Sequence, residues 1–309
     1  MTFFKPKFWN KKNNILSLIF LPITIILQLL TKIKKKITKE IKFKIPIICI
    51  GNIYVGGTGK TPLSILLAKE LINYKKNPAI IKKFYSNHID EHKLIEAHLN
   101  CLVLNSQRTN AIHEAENSGY NVAILDDGLQ DFSVKKDLNI MCFNSNQLIG
   151  NGMTLPSGPL REGLEVLKRV QIVIINGKKN LMFENKILDI SNKIKIFYSE
   201  YVPVNIEQFK KKKIFAFAGI GNPENFFELL KENKLDVKRE VSFPDHYQFQ
   251  KFELQKFVDE AVKNNYKIIT TEKDFFRIRS YGLSDIKYIK NELQITDKAK
   301  FLQQVLNYI

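Results

Sequence analysis

Cysteine is scarce in this sequence, with three residues among 309. Their wide separation, without any metal-ligand spacing, excludes a small disulfide-bonded scaffold and a cysteine-bound metal site. Each cysteine lies in or beside an apolar run, so we expect buried thiols in a reducing compartment. The three residues are Cys49, Cys101 and Cys142.

Acidic residues are also few, because 31 Asp and Glu accompany 48 Lys and Arg and leave a formal net charge of +17. This excess would attract a polyanion such as nucleic acid, an anionic membrane or a phosphorylated substrate, although we expect most lysines to lie on solvated faces. Hydrophobic residues make up 44% of the chain. This content is sufficient for a full core and excludes a disordered protein.

The apolar run near the N-terminus is short for a membrane-spanning helix. Residues 15–30 read ILSLIFLPITIILQLL. A helix over this run would be about 24 Å long, against roughly 30 Å for the hydrocarbon core of a bilayer. Ser17, Thr24, Gln28 and Thr31 would form one narrow polar stripe on an otherwise apolar surface.

Lysine flanks this run on both sides, and residues 31–44 alone carry seven lysines and one glutamate. Basic charge at both ends resists translocation of either end, so we predict a helix that lies on the cytoplasmic face of an anionic membrane. A signal peptide is disfavoured because the small-residue cleavage pattern is missing. A helix packed inside the protein remains the alternative.

Four glycines mark the point at which an apolar run ending at Ile50 gives way to a helical pattern, and residues 51–62 read GNIYVGGTGKTP. A strand, a glycine-rich loop and a helix surround one concavity with backbone N–H groups, which suits a phosphate. Lys60 would neutralise the β- and γ-phosphates, and the Thr61 hydroxyl would ligate Mg²⁺. Tyr54 stands at the first glycine position of the usual motif, which makes this a variant. The predicted nucleotide-binding residues are Asn52, Val55, Gly56, Gly57, Thr58, Gly59, Lys60 and Thr61.

Apolar runs alternate with helical segments along the rest of the chain, which predicts a mainly parallel sheet with helices on both faces. Ligands bind at the carboxyl ends of strands in such sheets. Asp126 and Asp127 directly follow the apolar run at 122–125. An acidic residue at this place in phosphate-binding-loop enzymes holds Mg²⁺, so we interpret the pair as part of a metal site.

Two further clusters carry little information by themselves. Asp90 and Glu91 precede a predicted helix, where helix capping is their ordinary role. Asp245 and His246 follow a proline in a segment that reads as a surface turn.

Seven ordered motifs together resemble the tetraacyldisaccharide 4'-kinase family of lipid A biosynthesis, over nearly the whole chain. The resemblance implies a kinase on the cytoplasmic face of the bacterial inner membrane that uses ATP and Mg²⁺. Its substrate would be a tetraacyl glucosamine disaccharide 1-phosphate and its product lipid IVA. The motifs are GNIYVGGTGKTP at 51–62, DEH at 90–92, DDGLQ at 126–130, GNGMTLPSGPLRE at 150–162, AGIGNPENFF at 218–227, FPDHYQF at 243–249 and TTEKD at 270–274.

The resemblance also implies roles for individual residues. Asp90 would be the catalytic carboxylate, His246 its partner, and Lys60 the phosphate-binding cation. Phosphoryl transfer depends mainly on charge neutralisation and positioning, so these parts are sufficient for the chemistry. The implied Mg²⁺ ligands are Thr61, Asp127, Gln130 and Glu162, and further site candidates are Asp126 and Arg161.

The chain departs from the family pattern outside the phosphate-binding residues. Lys82, Lys83 and Phe84 replace the usual Ser-Arg-Gly. These changes bear on contacts with the substrate, and a family member with a different acylated sugar would also fit them. The other departures are Ile89 and His92, in place of Gly and Pro, and Asp131, where a His usually follows DDGLQ.

Other classes with a phosphate-binding loop fit less well. A partitioning ATPase would carry its signature lysine at position 55, which is Val55, and a GTPase would carry N-K-x-D where this chain has TEKD. A nucleic-acid-binding module would leave the acidic residues without a role. A divergent ATPase or kinase that acts on another membrane or anionic substrate is the remaining alternative.

We therefore predict a phosphate-binding-loop α/β protein in three parts. Residues 1–44 would form the membrane-associated helix with its basic flank, residues 45–200 the kinase core, and residues 201–309 a smaller α/β lobe. The expected partners are an acylated disaccharide 1-phosphate lipid and an anionic membrane surface, with no nucleic acid and no protein partner.

Overall fold

The computed structural model describes residues 6–85, 89–245 and 247–309, with the side chains of 89 and 90 left out. These residues form two compact units. The larger unit contains residues 6–84, 99–200 and 293–309. The smaller unit contains the described parts of Tyr85–His98 and Tyr201–Glu292.

The larger unit is built on an eight-stranded sheet with the strand order β12-β7-β6-β5-β1-β4-β2-β3. The six neighbouring pairs from β7 to β3 are all parallel. This arrangement confirms the predicted mainly parallel α/β class. The strands are β1 Ile47–Gly51, β2 Pro78–Lys83, β3 Leu102–Asn105, β4 Val122–Asp126, β5 Leu138–Asn144, β6 Ile172–Asn176, β7 Lys195–Pro203 and β12 Asn291–Ile295.

The central strands of this sheet are buried along their whole length, as the strands β1, β4, β5 and β6 show. Continuous hydrophobic strands of this kind are typical of parallel sheets that are covered by helices. The order places β1 between β4 and β5, so the glycine-rich loop after β1 and the two aspartates at the end of β4 share one edge of the sheet. The helices of this unit are α1 Ile15–Ile19, α2 Leu21–Ile37, α3 Lys60–Asn73, α5 Arg108–Asn117, α6 Leu181–Ile190 and α10 Lys298–Leu306.

The smaller unit contains a second parallel sheet, with the order β11-β10-β8-β9. Its strands are β8 Lys213–Ala218, β9 Asp236–Ser242, β10 Lys267–Thr271 and β11 Lys287–Ile289. Its helices are α4 Ile89–His98, α7 Pro223–Glu232, α8 Lys251–Lys263 and α9 Glu272–Ile278.

One division between the two units falls after residue 200, but two further segments lie apart from their sequence neighbours. Helix α4 belongs to the smaller unit because it packs against α9. Residues 293–309 belong to the larger unit because β12 extends its sheet beside β7. Phe301 of α10 also packs edge-on against Phe197 of β7, with ring centroids 5.6 Å apart. Sequence periodicity alone does not show these returns of the chain.

The N-terminal apolar run forms two helices instead of the one that the sequence predicts. Helix α1 ends at Ile19, and α2 begins at Leu21 with a proline in its first turn. Pro22 accounts for the break because it lacks the N–H that a continuous helix would need there. Helix α2 continues to Ile37 through the basic flank, so three lysines lie in its last turn. Within the part of the chain that is described, no helix is long and apolar enough to span a membrane.

The polar stripe of these helices faces the protein, whereas the apolar side chains face outward. Ser17 and Thr24 are buried. The Thr24 hydroxyl donates to Ser157 Oγ at 2.8 Å, and Gln28 Nε2 donates to Thr154 Oγ1 at 2.7 Å. This finding argues against the alternative of a helix inside the core, because its large apolar residues remain exposed. They include Ile15, Leu18, Ile19, Ile23, Ile26, Leu29, Leu30, Ile33 and Ile37.

Candidate functional site

The glycine-rich loop lies between β1 and α3, as the sequence predicts. Helix α3 begins at Lys60, directly after Gly59, whose φ of +88° is a left-handed conformation that favours glycine. The buried Asn52 side chain organises the loop, because its Nδ2 donates to Tyr54 O at 2.7 Å and to Thr58 Oγ1 at 2.9 Å. The N–H groups at the start of α3 are therefore presented around the loop in the manner that suits a phosphate.

Tyr54 explains why this loop tolerates a departure from the usual motif. Its side chain is buried and belongs to the main hydrophobic core of the larger unit. The Tyr54 backbone also forms an isolated antiparallel bridge with Leu160, and Val55 N donates to Pro159 O at 2.9 Å. The residue at the first glycine position thus joins the loop to the segment that carries Arg161.

Two cationic side chains, those of Lys60 and Arg161, contact the carboxylate of Asp127. Arg161 Nη1 donates to both of its carboxylate oxygens at 3.0 Å, and Lys60 Nζ lies 3.7 Å from Oδ1. Burial raises the pKa of Asp127, but the charges of Lys60 and Arg161 outweigh it and hold the pKa at about 2. Asp127 is therefore ionised at neutral pH, and it holds both cations beside the glycine-rich loop.

Asp126 is fully buried beside the start of α3. Its Oδ2 accepts hydrogen bonds from Thr61 Oγ1 at 2.9 Å and from Lys82 Nζ at 2.6 Å. Its Oδ1 is also buried and has no hydrogen-bond partner among the described residues. A carboxylate oxygen without a partner next to a threonine hydroxyl is a donor set that fits a hard divalent cation such as Mg²⁺.

The other implied metal ligands have protein partners. Both carboxylate oxygens of Glu162 accept from Arg169 Nη2, at 2.9 and 2.8 Å. Gln130 Nε2 donates to Asn52 O at 3.0 Å, and its Oε1 lies 3.5 Å from Arg161 Nη1. Among the described residues no three His, Cys, Asp or Glu side chains are grouped so as to hold a metal. Mg²⁺ takes many of its ligands from water and phosphate, so a site of this kind does not need a complete protein cage.

The structure adds basic residues that the sequence analysis did not assign to the site. From the sequence, Lys82 was identified only as a departure from the family pattern. Arg108, the first residue of α5, donates from Nη2 to the carbonyls of Asp126 and Asp127 at 3.3 and 2.8 Å. A basic residue that starts the helix after a strand of a parallel sheet was a usable signal, because such positions border the ligand edge.

The predicted catalytic pair falls partly outside the described residues, since neither the Asp90 side chain nor His246 is described. Their sequence neighbours share one partner, because Lys273 Nζ lies 3.3 Å from Glu91 Oε1 and 3.4 Å from Asp245 Oδ1. Lys273 belongs to the TTEKD motif, for which the sequence suggested no role. It joins α4 to the 243–249 segment within the smaller unit.

The next residue of that motif, Asp274, is connected to the 243–249 segment through Arg277. Asp274 is buried, and it accepts hydrogen bonds from Gly219 N at 2.8 Å and from Arg277 Nη1 at 2.9 Å. Burial raises its pKa, against the opposing effect of Arg277. Arg277 Nη1 also donates to Tyr247 O at 3.1 Å. Asp274 therefore holds Arg277, which in turn bonds the backbone of Tyr247, the residue after His246.

The fold and the loop define a phosphate-binding-loop protein of the parallel α/β class, in which lysine and arginine surround two carboxylates. A family model described as tetraacyldisaccharide-1-P 4'-kinase matches residues 15–309. The chain therefore belongs to the tetraacyldisaccharide 4'-kinase family, whose members are phosphotransferases.

Individual relatives agree with this assignment. The tetraacyldisaccharide 4'-kinase of Pelagibacter ubique is 44% identical and covers 98% of this chain and 97% of its own length. That of Rickettsia canadensis is 32% identical and covers 94% of this chain and 93% of its own length. The LpxK crystal structure from Aquifex aeolicus in complex with ATP is 22% identical and has a TM-score of 0.71, over 95% of this chain and 99% of that one. This last likeness shows that the fold is shared.

The Asp127 charge cluster predicts a specific dependence of stability on pH. Its pKa is lowered in the folded protein from an ordinary 3.8 to about 2, so its stabilising contribution is present above about pH 4 and is lost as the pH falls toward 2. Asp127→Asn removes this dependence and keeps a residue that tolerates the φ of +60° at this position. The free energy of unfolding, measured in urea between pH 6 and 2.5, should therefore decline less steeply in the variant.

The matched control is Asp189→Asn, which removes an exposed carboxylate from α6. Its pH profile should follow that of the wild type. Parallel profiles for Asp127→Asn and the wild type would show that the cluster does not stabilise the fold.

Proposed function

We propose that this protein transfers the γ-phosphate of ATP to the 4'-hydroxyl of a tetraacyl glucosamine disaccharide 1-phosphate, a step of lipid A biosynthesis that yields lipid IVA. The observation that carries the proposal is the cluster of Lys60, Arg161 and Asp127 at the glycine-rich loop, in a chain of this kinase family. The cluster supplies two cations at the place where the terminal phosphate of a bound nucleotide would lie.

The residues at the loop have separable tasks in this proposal. The N–H groups of α3 bind the phosphates, and Lys60 neutralises the charge that develops on the transferred group. Arg161 presents a second cation beside it, and Asp127 keeps both in place before the nucleotide arrives. Preorganised charges of this kind need no rearrangement during the reaction, which is the main source of their catalytic effect.

Mg²⁺ would supply neutralisation of the phosphate oxygens when bound. We propose that the residues that would hold it are Thr61, Asp127, Gln130 and Glu162, with Asp126 beside them. The support is the Asp126 oxygen that has no partner among the described residues and lies beside the Thr61 hydroxyl. In this arrangement Glu162 would exchange its contacts with Arg169 for the metal, which is a testable rearrangement.

We further propose that Asp90 and His246 act on the acceptor hydroxyl. An ionised Asp90 would accept the proton of the sugar hydroxyl, and His246 would orient that carboxylate. The support is Lys273, which contacts the residue after Asp90 and the residue before His246. A lysine shared by both neighbours is the arrangement expected if the two segments must be held together.

Phosphoryl transfer to lipid is the direct test of the proposed function. Purified protein with detergent-dispersed tetraacyldisaccharide 1-phosphate and labelled ATP should yield a doubly phosphorylated lipid. Lys60→Ala should lower turnover about 10²-fold or more, because a charge on the transferred phosphate is left without its neutralising cation. Lys298→Ala is the matched control, since it removes a lysine paired with Glu70 at 3.0 Å on the surface of the same unit.

Near-normal turnover by folded Lys60→Ala protein would contradict the proposed role of the loop. Nucleotide hydrolysis by the wild type without any phosphorylated lipid would favour the alternative, a divergent ATPase or a kinase with a different anionic substrate. Lys82, Lys83 and Phe84, which replace the usual Ser-Arg-Gly, are the feature that would then need a new explanation.

The catalytic pair predicts non-additive losses. Asp90→Ala and His246→Ala should each lower kcat about 10²- to 10⁴-fold with little change in ATP affinity. If the two residues act as a unit, the double variant should be about as slow as the worse single variant. The measurement is kcat together with the thermal midpoint for all three proteins. Strictly multiplicative losses would show that the residues act separately.

We propose that α1 and α2 lie on the cytoplasmic face of the bacterial inner membrane. The support is their orientation, because the polar stripe is used in contacts with residues 151–157 and the apolar side chains face outward. Lysines in the last turn of α2 would lie near anionic headgroups, where each contributes about 1 kcal/mol. A contiguous apolar surface of this kind marks an interaction site, and a lipid surface satisfies both its apolar and its basic part.

Vesicle binding should therefore rise with the content of anionic lipid and weaken with salt. Replacing Ile26 and Leu30, which are 57% and 56% exposed, with serine should lower binding without lowering stability. Leu181→Ser on α6, 61% exposed, is the matched control and should bind as the wild type does. Equal vesicle binding by the double variant and the control would refute the proposed membrane surface.

A further inference from the structure

Lys82 is a buried lysine at the carboxyl end of β2, next to β4 in the larger sheet. Its side chain is almost without solvent contact, and its Nζ lies 2.6 Å from Asp126 Oδ2. The β2–β4 pairing runs to Ile81 and Leu125, so Lys82 and Asp126 directly follow the last registered pair. An ammonium group taken out of water is costly unless a counter-charge compensates it, which Asp126 does here.

The same carboxylate oxygen connects Lys82 to the glycine-rich loop. Asp126 Oδ2 also accepts the hydrogen bond from Thr61 Oγ1. This hydrogen bond directs the Thr61 proton toward Asp126 and leaves the lone pairs of the hydroxyl oxygen available to a cation. The buried Oδ1 of Asp126, with no partner in the described part of the chain, is the second oxygen available at this place.

Lys82 also acts on the neighbouring carboxylate. Its charge contributes to the lowered pKa of Asp127, after the larger contributions of Lys60 and Arg161. A positive charge therefore lies beside both aspartates, on the side of β2.

We propose that Lys82 is a positioning residue that serves as a resident counter-ion of the nucleotide site, where it holds Asp126 on Thr61 and competes with the divalent cation for that carboxylate. Its charge favours the phosphates of a nucleotide even without metal and opposes the approach of Mg²⁺ to Asp126. The inference rests on the proposed ATP site and is independent of the lipid acceptor.

A lysine that only anchors β2 to β4 would have different consequences. Loss of such an anchor lowers stability and changes every binding measurement in the same direction. Loss of a positive charge at the site changes two affinities in opposite directions. The affinity for ATP without metal falls because the phosphates lose an attraction, and the affinity for Mg²⁺ rises because the cation loses a repulsion. The dependence of nucleotide binding on Mg²⁺ therefore separates the two roles.

The experiment measures ATP binding by calorimetry on the full chain, without lipid acceptor, first in EDTA and then over a titration of Mg²⁺. In Lys82→Met the affinity for ATP in EDTA should fall about tenfold, since a nearby unit charge is removed. The Mg²⁺ concentration that half-saturates the increase in affinity should fall by a similar factor. Lys82→Arg should restore both values toward the wild type, and Lys298→Met is the control for loss of a surface lysine.

Lys82→Ser provides a second uncharged variant if Lys82→Met does not fold. Unchanged EDTA and Mg²⁺ curves in a folded Met or Ser variant would overturn the proposal, as would two curves that weaken together. Wild-type protein that binds no ATP would overturn the nucleotide site and this inference with it. A failure to phosphorylate lipid while both binding curves shift as expected would contradict only the proposed acceptor.

Discussion

Two adjacent carboxylates lie at the end of β4, where Asp126 is fully buried and Asp127 is partly covered. A buried charge without compensation costs several kcal/mol, so the surrounding structure has to supply cations and hydrogen bonds. Four different segments of the larger unit meet this requirement, and each brings a part of the site to the same edge of the sheet. The groups that bond the carboxylates are Lys60 and Thr61 from the start of α3, Lys82 from β2 and Arg161 from the 150–162 segment, while Arg108 from α5 bonds the backbone carbonyls of the same two residues.

The sequence was sufficient for the features that depend on local chemistry. A glycine-rich loop between a buried strand and a helix identified β1 and α3, and the strand-end rule placed Asp126 and Asp127 at the same edge. The polar stripe at Ser17, Thr24 and Gln28 was visible from helical spacing. Its direction was not, because periodicity shows that two faces differ but does not show which face the protein covers.

Features that depend on contacts between distant segments could not be predicted from one sequence. The TTEKD motif does not show that Lys273 contacts Glu91. The place of Arg108 at the start of α5 suggests the ligand edge but does not show which carbonyls it bonds. Both sets of contacts follow from tertiary packing. The return of β12 to the larger sheet and the packing of α4 on α9 have the same origin. The Asp90 side chain and His246 are outside the described residues, so their roles stay predictions.

The 151–160 segment has hydrogen bonds on two sides. Residues 151–157 bond the polar stripe of α1 and α2, while Pro159 and Leu160 bond the loop at Tyr54 and Val55. One short stretch of chain therefore links the outward-facing apolar helices to the phosphate-binding loop. If these helices lie on a bilayer, as proposed, this linkage would fix the distance between the phosphate-binding loop and the lipid surface.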